Sequence, residues 1–482
     1  MMKPIILLSA ALTLNLALVA CVANAPVPDA EVPAAGPVPV PVAGDQGEAQ
    51  PIVAKTTSSV IHPDWSRDAV IYQINTRQYS EAGTFDAVRE DLPRIKDLGV
   101  DILWLMPIHP IGEEKRKGPL GSPYAVKDYL GVNPELGTLD DFKALVDAAQ
   151  GMGMKVIIDW VANHTAWDNP LITEHPDWYT RDADGNMQHP PETDWEDVAD
   201  LNFDNADLRQ YMSDALVYWV EEVGIDGYRC DVAGMVPTSF WNAVRPRLDA
   251  VKPTFMLAEW QQPELHEHAF SATYAWRWKE IMQDIVKGDA NAADLAGYYA
   301  DYQSDWPIGA MRMAYTDNHD QNTWDGLPQD IYGDAYELAK VLSFTGEGIP
   351  LIYNGQECAN PNSLEFFEKD PIVWNCDDPI NGFLKDLVKL KTNNPALHNG
   401  DWGGRMEMIT NDNPTNILSF VRRKGDNTVV FVANLSDQPQ SFSFLDELPH
   451  DVFTDMHTER TIMLIDAEHT LPPWDYRVFT RG

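Results

Sequence analysis

Gly227-Tyr228-Arg229-Cys230-Asp231 is the stretch on which the reading of the whole chain turns. It follows Val223-Gly224-Ile225-Asp226 and reads as a short buried strand that stops on an arginine and an aspartate. Charge at a strand tip, where the apolar run could have continued, aims a carboxylate into a site and places the arginine to hold it ionised. Alone, the pentapeptide reads equally well as a structural Arg–Asp pair closing a turn. Three further runs end in the same way: Val156-Ile157-Ile158-Asp159 leading to Asn163-His164, Phe255-Met256-Leu257-Ala258-Glu259, and Met313-Ala314-Tyr315-Thr316 leading to Asn318-His319-Asp320. A chain that ends four strands on carboxylates and histidines builds one site from strand tips, as parallel α/β barrels do at their C-terminal face.

Outward from these runs, strand-like and helix-like segments alternate. Ala69–Ile74 and Ile102–Pro107 read as strands, with helical spacing over Phe85–Leu98 and Phe142–Met152. After His164 the alternation gives way to a Trp-, Pro- and Asp-rich excursion over 165–205, then resumes with a helix over Ala206–Val223. Residues 262–310 carry no clear pattern. Ile349–Tyr353 reads as an eighth strand and Phe383–Thr392 as the last helix. The expectation is an α/β fold, a closed (β/α)8 barrel over 61–395 with an inserted domain over 165–205. From residue 396 the pattern changes. Ile417–Arg422 and Thr428–Leu435 flank Lys424-Gly425-Asp426-Asn427 as a hairpin, so 396–482 is expected to be an antiparallel β domain.

An apolar content of 44% with 16 tryptophans supplies a sizeable core. The long apolar run, Ile5 to Ala20 after Lys3, is short for a membrane span and reads as a signal peptide over 1–20. Leu18-Val19-Ala20-Cys21 matches a bacterial lipobox with Cys21 as the lipidated residue, whereas a cut after Ala23-Asn24-Ala25 would place Pro26 beyond the scissile bond. The Pro- and Ala-rich stretch over 21–60 reads as a disordered tether. The expected location is therefore outside the cytoplasm, as a monomeric lipoprotein in the periplasm or on the outer membrane, touching membrane through its anchor alone. A net charge of −39 excludes nucleic acid and anionic lipid surfaces as partners, and scattered acids describe a strongly solvated surface. Cys230 reads as a small core residue, and Cys358 and Cys376 are near enough in sequence to close a loop, a pairing that the sequence leaves open. His266-Glu267-His268 has the wrong spacing for a helical metal pair and no third ligand.

In order and spacing, Asp159-x-x-x-Asn163-His164, Gly227-x-Arg229-x-Asp231, Glu259 and Asn318-His319-Asp320 resemble the α-amylase family, glycoside hydrolase family 13. The resemblance runs from about Trp65 to the C-terminus and includes Ser122-Pro123-Tyr124, Asp128-Tyr129, Asp200-Leu201-Asn202 and Gly348-Ile349-Pro350 to Glu357. It implies Asp231 as nucleophile, Glu259 as general acid/base and Asp320 as the third, substrate-binding carboxylate. It also implies that His164 and His319 hydrogen-bond the sugar in the cleaving subsite and that Tyr124 stacks on its face. The residues agree independently: a retaining glycosidase needs one carboxylate to attack and one carboxylic acid to release the leaving oxygen. Arg229 shares a strand face with Asp231, and Glu259 sits beside apolar Leu257 and Trp260, where a raised pKa is expected. Asp159 reads as a structural partner for Arg229.

Two departures from the family pattern bear on cofactor and substrate. The family's structural calcium would involve Asn163 and Asp200 with a histidine four residues past the nucleophile, but that position is Met235, preceded by Gly234 where lysine is common. A thioether is a poor ligand for a hard cation, so no cofactor is required and the calcium site is doubtful. Exo-acting relatives place an aspartate three residues before the stacking tyrosine; here Gly121 stands there, which favours action on longer chains. The expectation is a retaining hydrolase of α-1,4 bonds in starch-type polymers or malto-oligosaccharides. The alternatives are an exo-glucosidase or glucanotransferase, and, in another class, a non-catalytic glycan-binding lipoprotein.

Overall fold

A computed structural model describes residues 58–446, 451–464 and 467–482. The signal peptide, Cys21 and most of the tether lie outside the described residues. The tether expected to reach residue 60 ends earlier: Ser58 Oγ donates to His266 O at 2.6 Å and Ser59 N to Glu267 O at 2.9 Å. Carbonyls at the end of a short helix capture these donors, so residues 58–60 belong to the folded body.

Eight strands close into one barrel: β1 (Ile71–Ile74), β2 (Ile102–Leu105), β3 (Lys155–Trp160), β4 (Gly227–Cys230), β5 (Phe255–Ala258), β6 (Ala272–Tyr274), β7 (Met311–Ala314) and β8 (Ile349–Tyr353). Each pairs in parallel with its neighbours in chain order, and β8 closes on β1. β6 lies in the stretch whose pattern was unclear; three residues are too few to display a period. Successive strand side chains point to opposite faces. Ile71, Ile102, Trp104, Ile157, Leu257, Tyr274, Met313 and Leu351 fill the barrel interior. Tyr72, Leu103, Val156, Ile158, Tyr228, Met256 and Ile352 pack outward under the helices. The same alternation carries the inward face two residues on, from Ile157 to Asp159, from Arg229 to Asp231 and from Leu257 to Glu259.

Local chemistry sets the helices between strands. In Phe85–Leu98, buried Phe85, Val88, Leu92 and Ile95 repeat at helical spacing, Thr84 caps the first turn by accepting from Ala87 N, and Gly99 at φ 94° ends the last. Leu139–Gly151 opens on a reciprocal Thr138–Asp141 capping box.

The excursion after β3 is built from two barrel loops. His164–Ala166 pairs antiparallel with Val198–Asp200, and the loop after β2 joins them where Ala166 N donates to Val126 O at 2.9 Å. His164 therefore opens this hairpin and does not end the barrel strand. Cys358 and Cys376 are joined by a disulfide that cross-links the loop after β8, and Cys230 is a free, buried thiol.

The C-terminal region is a six-stranded antiparallel sheet plus a two-stranded one. Its central hairpin, Ile417–Lys424 with Asn427–Asn434, closes on Gly425-Asp426. Fully buried Arg422 fixes the sheet to the barrel by donating to the carbonyls of Gly404 (2.8 Å), Thr345 (3.1 Å), Gly346 (2.6 Å) and His398 (3.2 Å). Four carbonyl acceptors offset the cost of removing that cation from water.

Gly227 begins β4 at a close approach that no side chain tolerates, since a Cβ there would lie 1.9 Å from Phe255 O. Gly227→Ala is expected to cost about 3 kcal/mol by forcing β4 and β5 apart. Thermal unfolding checks this, and an unchanged midpoint would contradict it.

Candidate active site

Arg229 is the hub on which the carboxyls converge. Wholly buried in β4, it donates from Nη1 to Asp159 Oδ1 at 2.7 Å and to Asp231 Oδ1 at 2.9 Å. Its Nη2 lies 2.7 Å from Glu259 Oε1, off the direction of a hydrogen bond. Its Nε donates to Tyr274 Oη at 3.2 Å, and the rings of Trp104 and Tyr124 flank the guanidinium at 5.3 and 5.6 Å. Adjacent strand tips thus bring Asp159, Asp231 and Glu259 to one cation.

Burial pushes all three carboxyls above the usual carboxylate range, and Arg229 pulls each of them back. One cation cannot neutralise three carboxylates in a buried pocket, so the cluster holds a proton near neutrality. The donors decide where it sits. Asp159 accepts from Arg229, from Trp104 Nε1 at 3.2 Å and from Tyr124 Oη at 3.1 Å, and Asp231 accepts from Arg229. Glu259 accepts a single backbone bond, from Val232 N to Oε2 at 2.8 Å, and feels the charges of Asp231 and Asp320. These contacts favour ionised Asp159 and Asp231 and leave the proton on Glu259.

Val232 reaches that bond from an unusual backbone. At φ 36° and ψ 48° it is a β-branched residue in the left-handed region, at a cost of about 1–3 kcal/mol. The turn swings the chain away immediately after Asp231 and aims the Val232 amide at the acid.

Tyr124, His319 and Asp320 line the approach to the cluster. Tyr124 Oη meets His319 Nε2 at 2.6 Å, and the two rings stack at 22° with centroids 5.6 Å apart. Gln73, an inward residue of β1, holds the other nitrogen, with Nε2 2.8 Å from His319 Nδ1. Burial pushes His319 down to about 4 and His164 to about 3, so both are neutral near pH 7. The Asp320 side chain is 44% exposed, with Oδ2 3.4 Å from His319 Nε2. Asp320 is thus the open carboxylate of the set. His164 is bonded to the Tyr124 backbone and lies 5.5 Å, ring to ring, from Trp195 of the excursion.

Asn163 and Asp200 lie along the excursion hairpin, outside the carboxyl cluster. Asn163 Nδ2 faces His164 Nδ1 at 3.3 Å, Asp200 Oδ2 accepts from Thr180 Oγ1 at 2.6 Å, and Met235 ends a short turn where a third ligand would be needed. One amide, one carboxylate already bonded and one thioether do not fit a hard cation that takes six to eight oxygens. Gly234 is bare for a packing reason: a Cβ there would fall 2.1 Å from Trp260 Cε2, so the indole fills the space of any side chain at 234. His266 Nε2 bonds Thr273 at 2.9 Å while His268 Nδ1 meets Ser59 Oγ at 2.7 Å, each occupied separately. Gly121, at φ 73°, gives its carbonyl to Arg77 Nη1 at 3.0 Å.

Four contributors escaped sequence reasoning. Gln73 and Trp104 are inward positions of β1 and β2, which the strand period could have marked. Tyr274 ends β6, which was itself unread. Val232 acts through its backbone, which leaves no signal in residue type.

The catalytic-domain model "Alpha amylase, catalytic domain" matches residues 64–287, and "Maltogenic Amylase, C-terminal domain" matches 406–478. A noncanonic maltogenic α-amylase from Thermotoga neapolitana is 30% identical, with a TM-score of 0.78 over 86% of this chain and 98% of that one. An α-amylase from Lactobacillus plantarum is 34% identical, with a TM-score of 0.76 over 86% and 99%. An α-amylase of Haloarcula japonica is 30% identical over 400 residues, 78% of this chain. The chain spans 57% of that relative's length, a little over half. With a closed barrel that gathers Asp231, Glu259 and Asp320 at its strand ends, and with these likenesses along its length, the chain belongs to the α-amylase family.

Proposed function

We propose that the protein is a retaining hydrolase that cuts α-1,4-glucosidic bonds within malto-oligosaccharides and starch-type chains. The observation that carries this reading is the unequal sharing of Arg229, which favours an ionised Asp231 and a protonated Glu259 in one pocket. Asp231 attacks the anomeric carbon while Glu259 gives its proton to the departing glycosidic oxygen, and the C1–O bond to the leaving chain breaks. A covalent glycosyl-enzyme forms. Glu259, now ionised, takes a proton from an incoming water, whose oxygen bonds the anomeric carbon as Asp231 leaves. Asp320, open to the cleft, stabilises positive charge at the anomeric centre. Neutral His164 and His319 hydrogen-bond sugar hydroxyls, and Tyr124 meets the ring face. Asp159 takes no part in bond making and fixes Arg229.

A second reading, transfer to a sugar acceptor, is favoured by Trp260, a half-buried residue next to the acid in the chain whose indole lies over Gly234. Longer products than the starting oligosaccharide would identify it. Gly121 in place of an acidic residue supports internal cleavage over removal of single end units.

The lipobox at Leu18–Cys21 supports export and lipid anchoring at Cys21, and the Cys358–Cys376 bond suits an oxidising compartment. The donor set around Asn163, Asp200 and Met235 supports catalysis without a bound calcium.

With maltoheptaose as substrate, Asp231→Asn and Glu259→Gln are each expected to lower kcat/KM by at least about 1,000-fold. A variant that binds the oligosaccharide and cleaves it at the wild-type rate would overturn the role given to that residue. Chelator treatment is expected to leave both rate and thermal midpoint unchanged; loss of either, restored by calcium, contradicts the cation-free reading. The pH profile of kcat/KM should be bell-shaped. Activity falls with acid as Asp231 protonates and falls with alkali as Glu259 ionises, and because burial raises both groups both limbs should lie above the usual carboxylate range. Limbs at ordinary carboxylate values would contradict the buried-cluster account.

A further inference from the structure

We propose that Trp324, backed by Phe366 and Phe367, is a stacking platform for a glucosyl unit beyond the cleaving subsite, on the non-reducing side of the scissile bond. The inference rests on the hydrolase reading above and deepens it by naming what grips the chain.

Trp324 is 58% exposed and is the one aromatic among the strongly exposed large hydrophobic side chains of the described residues. A lone exposed apolar side chain needs no explanation, but an exposed indole continuous with the Phe366 and Phe367 rings makes an apolar patch of the kind that marks a binding surface. Its position indicates what does. It lies on the turn Gln321–Asp325, immediately after Asp320. Its ring is 5.5 Å from that of Phe366, which is parallel to Tyr124 within 5° at 6.1 Å. Phe367 supports it from 6.3 Å. Tyr124, Phe366 and Trp324 thus form a row of rings from the carboxyl cluster to the rim, continuous with the site. Pyranose rings present flat C–H faces, and aromatic faces complement them.

The platform is held in place. Thr323 Oγ1 donates to Leu364 O and Leu364 N to Asn322 Oδ1, both at 2.8 Å, so the Trp324 turn and the Phe366 loop are tied together. Arg77 Nη1 donates to Phe366 O at 3.0 Å, Gln78 Nε2 to Glu365 O at 2.6 Å and to Glu368 O at 2.7 Å, and the Cys358–Cys376 disulfide closes the loop. A preformed aromatic surface binds without an ordering cost.

The side of the bond follows from the barrel. Glu259 protonates the departing oxygen and leans toward β4, where the Val232 amide holds its Oε2 at 2.8 Å, so the leaving chain exits over β5 on the β4 side. Trp324 and Phe366 stand on the loops after β7 and β8, and β8 is diametrically opposite β4. The retained, non-reducing portion therefore runs across the platform.

Two measurements test this. In the Asp231→Asn background, maltoheptaose binding is expected to weaken about fivefold with Trp324→Ala and to recover largely with Trp324→Phe. In the active enzyme, reducing-end-labelled maltoheptaose should be cut nearer its non-reducing end by Trp324→Ala, so that the labelled product lengthens. Unchanged binding and cutting would overturn the platform, and a shortened labelled product would place Trp324 on the leaving side and overturn the assignment. If the parent enzyme cuts no oligosaccharide, the hydrolase reading fails, and the binding measurement still decides whether Trp324 holds sugar.

Discussion

Three carboxyls around one guanidinium set the terms for everything else in this structure. Arg229 is buried without access to water, and its charge is compensated by Asp159, Asp231 and Glu259 on adjoining strands. Removing a cation and three carboxylates from water would be prohibitive if all stayed charged, so the cluster settles its charge by keeping a proton. The proton is the functional product of that settlement. It separates two chemically similar acids into one that attacks and one that donates, by what each receives: Asp231 a hydrogen bond from the Arg229 cation, Glu259 one from the neutral Val232 amide.

The barrel makes this arrangement available because its interior is periodic. Apolar residues fill the lower layers, and two residues further along each strand the same inward face reaches the C-terminal rim, where charge can stand. Ile157 precedes Asp159, and Leu257 precedes Glu259, by that single step. The rim is then covered by loops of different origin: the excursion after β3 brings His164 and Trp195, the loop after β2 brings Tyr124, and the loops after β7 and β8 bring Trp324 and Phe366. The backbone bears part of the cost, most visibly at Val232, whose left-handed conformation is what turns an amide toward Glu259.

Much of the fold was legible from that period. Seven barrel strands, the excursion and the C-terminal hairpin announce themselves through apolar runs bounded by turn residues, and Asp159, Arg229, Asp231, Glu259, His319 and Asp320 stand at the ends of such runs. What stayed hidden was short or non-local. β6 has three residues, and with it went Tyr274, which receives the third nitrogen of Arg229. Gln73 gains its meaning from His319, 246 positions away. The disulfide could be allowed by sequence but not established, because pairing depends on where the loop after β8 folds back. Gly234 was visible as a departure from the family pattern, but its cause, the indole of Trp260, comes from the loop after the next strand and so leaves no local signal.

The central claim is that Asp231 attacks carbon while Glu259 protects and delivers the proton, so each cleavage passes through two displacements. The most direct test is the anomeric configuration of the first sugar released from maltoheptaose, followed by proton NMR before mutarotation. The account predicts the α-anomer, because two inversions restore the starting configuration. First appearance of the β-anomer would show a single displacement by water and would contradict Asp231 as the nucleophile.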